Sequence, residues 1–109
     1  MPHEFTQVLF GAAYYHEYQP TERLRQDFDE MKAAGFTVIR IGESVWSTWE
    51  PEDGVFDLEW IVPVLEMAKE YGIGVILGTP TYAIPPWLQR RYPEINVDVA
   101  TGKPLGWGL

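Results

Sequence analysis

The chain has 109 residues, a formal net charge of -8 and an isoelectric point near 4.6. That balance opposes binding to nucleic acid or an anionic membrane, because a phosphate backbone needs a basic stripe and none is present. There is no cysteine, so disulfides, thiolate metal sites and cysteine nucleophiles are excluded within this chain. A chain this short buries roughly two-thirds of its unfolded surface, enough for one modest core, so one domain or a piece of one is expected. Aromatic residues make up 15%, with five Trp and six Tyr, and many fall outside the apparent core strands. Met1-Pro2-His3-Glu4 lacks the basic start and apolar run of a signal peptide, and no run of about eighteen apolar residues occurs, so a soluble cytoplasmic protein is expected.

Taken in order, residues 8 to 13, Val-Leu-Phe-Gly-Ala-Ala, read as a strand in tight surroundings. Polar aromatics follow at Tyr14-Tyr15-His16-Glu17-Tyr18, and Thr21 is placed to cap a helix. That helix carries Leu24, Phe28 and Met31 on one stripe and pairs Arg25 with Asp29 on another face. Gly35 closes it as a left-handed cap. Thr37 to Ile41 are β-branched except for Arg40, which predicts a strand covered on both faces. A guanidinium there needs an acceptor near the strand end.

Glu43 lies just past that strand, where side chains converge on ligands in parallel α/β architectures. Pro51 and Gly54 bound a turn. Asp57 reads as an N-cap, followed by a helical stripe of Leu58, Ile61, Leu65 and Ala68 that ends at Gly72. Pro63 conflicts with a helix begun at Leu58, so a regular helix is expected only from about Trp60. Residues 73 to 78 read as a third buried strand.

Strand starts at 8, 37 and 73 lie 29 and 36 residues apart, which suits parallel strands joined by right-handed helical crossovers. Beyond Gly78, Thr79 to Trp87 form a long loop, Pro86 starts a short helix through Arg91, and Asn96 to Leu109 read as loop. So long a tail with little regular structure is unusual inside a compact domain and suggests a functional loop of something larger.

Several residues carry a wider resemblance. Tyr14-Tyr15-x-Glu17, Arg40-Ile41-Gly42-Glu43-x-x-Trp46, Glu50-Pro51, Gly54-x-Phe56-Asp57, Gly78-Thr79-Pro80-Thr81, Pro86-x-Leu88 and Arg91-Tyr92-Pro93-Glu94 together resemble the start of glycoside hydrolase family 42. The resemblance runs from about residue 8 to the end of the chain. It implies a partial (β/α)8 TIM barrel: residues 1 to 109 would be the amino-terminal fragment of a catalytic domain, with the first three parallel strands, two crossover helices and a long third loop. A whole barrel takes about 250 residues.

The activity implied is that of a retaining β-galactosidase acting on terminal β-D-galactosides. Retaining hydrolysis needs two carboxyl groups roughly 5 Å apart. In the family both glutamates follow later strands, so no catalytic residue is expected here and the segment alone should be inactive. No cofactor is implied. Some members hold a structural zinc through cysteines of a later loop, and with no cysteine here no metal site is expected. The implied partners are a galactoside substrate and the remainder of the barrel, and the complete enzyme is open to homo-oligomerisation. A stand-alone sugar-binding or partner-binding module derived from such a barrel is the alternative.

Arg40, Glu43 and Trp46 form the expected substrate-binding set. Arg40 matches an arginine that contacts galactosyl hydroxyls in similar enzymes, and its other reading is an ion pair with Glu43 or another strand-end carboxylate. Glu43 is expected to hold the arginine fork in place. Trp46 and Trp49 either stack on sugar faces or pack the loop against the barrel top. Glu50-Pro51 reads as turn structure only. The family's Tyr-Tyr-Pro-Glu becomes Tyr14-Tyr15-His16-Glu17, and on an extended segment His16 and Glu17 would point to opposite sides, which disfavours an acid/base pair. Thr79 to Tyr82 are a plausible subsite wall, and Pro85-Pro86-Trp87 a rigid lid support.

Overall fold

The computed structural model describes residues 7–18 and 21–95, so the loop expected from Asn96 onward and the terminal His3 lie outside the described residues. Three strands form one parallel sheet in the order β1 (Gly11–Ala13), β2 (Val38–Ile41), β3 (Gly74–Leu77). β1 pairs with β2 in the register Gly11 to Val38, Ala12 to Ile39 and Ala13 to Arg40. The connections carry α1 (Leu24–Ala33) and α3 (Val62–Tyr71), with a short α2 (Trp46–Trp49) after β2 and α4 (Pro86–Arg91) after β3. The expected strand, helix, strand, helix, strand order is present.

The chain divides into two compact units. One comprises the described residues up to Ile41 with Ile61–Ile76, and the other Gly42–Trp60 with the described residues from Leu77.

In the first unit, Leu24, Phe28 and Met31 of α1 are buried as their spacing predicts, and Phe28 is fully enclosed. β2 alternates: Ile39 and Ile41 are buried, whereas Arg40 is exposed on the opposite face. β2 is therefore covered on one face only, contrary to the reading of a strand buried on both. A strand's two faces are separate surfaces, and a three-stranded sheet fills just one of them here. β3, expected to be buried, leaves Ile76 and Leu77 exposed although they point to opposite faces, because β3 is an edge strand of the three-stranded sheet and Leu77 is its last residue.

The first strand is shorter than expected, with residues 8 to 10 outside it. Phe10 is still tied to Thr37, whose hydroxyl accepts from the Phe10 amide at 2.8 Å while the Phe10 carbonyl accepts from the Thr37 amide at 2.7 Å. Gly11 follows at a close approach: an added Cβ would lie 1.6 Å from the Val38 carbonyl oxygen.

Both crossover helices end alike. Gly35 at φ +86° and Gly72 at φ +68° adopt the left-handed conformation, and the next residue's amide reaches back to Met31 or Ala68, which satisfies carbonyls the helix leaves open. Their starts differ from expectation. α1 begins at Leu24 after a 3-10 turn over Thr21–Arg23, with Arg23 rather than Thr21 at the N-cap. α3 begins at Val62 behind a 3-10 turn over Glu59–Ile61, which puts Pro63 in its first turn, where a missing amide costs nothing. Its buried face is Ile61, Val64 and Ala68, while Leu58 and Leu65 are exposed. Arg25 does not close on Asp29. It spans to α3, meeting Glu70 at 3.1 Å, while Asp29 accepts from the Tyr71 hydroxyl.

Candidate functional site

The carboxyl end of β1 carries Tyr14 and the turn that follows. The Tyr14 amide donates to the Arg40 carbonyl at 2.8 Å, extending the β1–β2 ladder by one step. Its hydroxyl donates to Asp27 Oδ2 at 2.8 Å, and Arg23 meets the other oxygen of that carboxylate at 3.1 Å. Asp27 is buried, with both its oxygens occupied in this way. Burial, and then the bond to Asp27, push the Tyr14 hydroxyl well above the ordinary tyrosine value, so it is a proton donor and not a base at neutral pH. His16 and Glu17 lie in a 3-10 turn over His16–Tyr18 rather than on the extended segment expected. The His16 ring stacks on Tyr14 at 6.3 Å, and its Nδ1 is buried without a hydrogen bond among the described residues.

Arg40 is exposed on the sheet face opposite the helices. It lines a depression of about 260 Å³ with Gly11, Ala13, Val38 and Ile76. The small side chains of β1 make that space, which is where a polar ligand could reach the guanidinium.

In the second unit, the loop after β2 is built on indoles. Gly42 takes φ +84°, and the Trp49 Nε1–H donates to its carbonyl at 2.9 Å. A Cβ at Gly42 would lie 2.8 Å from the Trp49 ring, so glycine is required twice over, for conformation and for space. Trp49 packs edge-on against Trp60 at 4.7 Å, which is the packing reading of Trp49. Trp46 donates its indole N–H to Glu50 Oε1 at 2.9 Å. Glu43 is half-buried, and its backbone is approached by Gly78, where a Cβ would stand 2.8 Å from the Glu43 Cβ.

Glu50 is more than a turn residue. Its second oxygen accepts from the Gly54 amide at 2.9 Å, and its carbonyl accepts from the Trp87 indole at 2.8 Å. Arg91 of α4 lies 6.0 Å from the Trp87 ring and pairs with Asp53. The spacing of Trp46, Glu50 and Gly54, four residues apart each time, could have exposed the first two links. Trp87, 37 residues distant, could not.

The structure thus gathers Trp46 with Glu50, Glu43 with Gly78, and Arg40 with the small residues of β1. Among the described residues no three His, Asp or Glu side chains gather closely enough to hold a metal ion, and no helix is long and apolar enough to cross a membrane.

The family model for the β-galactosidases of glycoside hydrolase family 42 matches residues 13–109. The chain belongs to glycoside hydrolase family 42. It is 41% identical over 87 residues to a β-galactosidase of Thermus thermophilus, a match covering 80% of this chain and 14% of that protein. It is 35% identical over 101 residues to a β-galactosidase of Haloferax lucentense, covering 93% and 15% respectively. Among solved structures, the β-galactosidase of the psychrophile Marinomonas ef1 superposes with a TM-score of 0.84 at 37% identity, over 93% of this chain and 15% of that one. The chain therefore spans about one-seventh of the length of these relatives. The sheet and its crossover helices are part of a TIM barrel.

Proposed function

We propose that this chain is the amino-terminal part of a retaining β-galactosidase and supplies one side of its galactosyl site. The observation that carries the reading is the match to β-galactosidases over residues 13–109, a span that includes the loops after all three strands, since family 42 membership concerns chemistry at strand ends and not the fold alone. In this reading Arg40 donates to sugar hydroxyls from the open sheet face, and the loop after β2 supplies Glu43 as a further substrate-binding residue and Trp46 as a ring for the apolar face of galactose. An arginine suits this role because its planar fork matches paired acceptors.

The two carboxyl groups of a double-displacement mechanism come from strands beyond this segment, one protonating the leaving oxygen and one attacking the anomeric carbon. The segment alone is then inactive. Its exposed Ile76, Leu77, Val62 and Leu65 would be covered by the missing strands and helices, so the isolated piece should associate or precipitate.

The test is hydrolysis of 4-nitrophenyl β-D-galactopyranoside by the complete protein, with the product followed by proton NMR. Release of β-galactose first, and no turnover by residues 1 to 109 alone, is expected. Release of α-galactose first, or no hydrolysis by the complete protein, would contradict the reading.

A further inference from the structure

All three oxygens of Glu50 accept hydrogen bonds. Each of its oxygens accepts one N–H, from Trp46 Nε1 and from the Gly54 amide, both at 2.9 Å, while its own carbonyl takes Trp87 Nε1 at 2.8 Å. One residue therefore ties α2, the turn at Gly54 and the start of α4. An indole has a single N–H. Anchoring it to a carboxylate fixes the plane of the ring, and charge-assisted bonds of this kind are stronger than neutral ones.

We infer that Glu50 is a positioning residue for sugar binding: it sets the plane of the Trp46 ring and, through Trp87, links the loop after β2 to the loop after β3. This rests on the reading of Trp46 as a wall of the galactosyl site. The carboxylate is required because both of its oxygens face donors. Glutamine offers one acceptor, so in E50Q its amide N–H₂ must confront either the Trp46 or the Gly54 N–H. Removing the indole N–H relieves that conflict, because the glutamine oxygen can then serve Gly54.

The experiment compares wild type, E50Q, W46F and the double variant in the complete protein, with kcat and KM measured separately on 4-nitrophenyl β-D-galactopyranoside. Hydrolysis by the wild type tests the underlying reading, and the variants test the role of Glu50. E50Q is expected to raise KM about tenfold with kcat within about twofold, the pattern of lost binding shared by ground and transition states. In the W46F background the same substitution should leave KM unchanged, since coupled residues are not additive. An unaltered KM in E50Q, or a KM rise that persists in the W46F background, would overturn the inference. If E50Q does not accumulate as folded protein, the double variant should accumulate as well as W46F. Failure of the double variant to fold where W46F folds would overturn it equally.

Discussion

The two units hold themselves together by different means. The sheet unit rests on enclosed aliphatic and aromatic side chains, Phe28, Ile39, Val64 and Ala68 among them, which is area removed from water. Among its described residues the loop unit buries few large side chains, and it relies on directional bonds, three indole N–H groups meeting Gly42, Glu50 and the Glu50 carbonyl. Burial is non-directional, so it stabilises a scaffold without specifying fine geometry. Indole donors cost more to orient but set ring planes, which the proposed sugar-binding role of Trp46 requires.

That contrast can be broken from either side. The largest effect should come from Phe28→Ala, a cavity in the sheet unit, with a loss of about 3 to 5 kcal/mol in urea denaturation of the complete protein. Next, Gly42→Ala forces an L-residue to a positive φ against the Trp49 ring. It should cost about 2 kcal/mol and lower amide exchange protection over residues 42 to 60 while leaving α1 and α3 protected. Trp49→Phe keeps a ring but orphans the Gly42 carbonyl, and a loss of about 1 kcal/mol is expected in the same assay.

Smaller still is a pH effect at Tyr14. Its folded-state pKa is raised, by burial and by the bond to Asp27, so its contribution is fully present below the ordinary tyrosine value and is lost as pH rises through the folded one. Stability referred to Tyr14→Phe should thus be flat through neutrality and fall only in the alkaline range above pH about 10. Arg25→Ala, which removes an exposed pair with Glu70, should leave the midpoint unchanged.

Much of this was legible from sequence where the signal is local. Gly35 and Gly72 stand at left-handed positions, and the α1 stripe is buried as spaced. The α3 stripe was read half correctly: Ile61 and Ala68 are buried as spaced, but the turn between them buries Val64, three residues after Ile61, and leaves Leu65, four residues after it, exposed. Strand burial was overestimated because an apolar strand records the whole barrel, whereas three strands cover only one face. The site was less legible. Arg40 stood out as a charge in an apolar run, but the role of Glu50 depends on Trp87, and no local pattern announces a partner 37 residues away.

In the proposed site, the Arg40 face of β2 binds galactose. The most direct test of this is kcat/KM on 4-nitrophenyl β-D-galactopyranoside for the complete protein and its Arg40→Ala variant. Loss of charge-assisted bonds to the sugar predicts a fall of about thirtyfold or more. A value within about twofold of wild type, in a variant of unchanged stability, would contradict it.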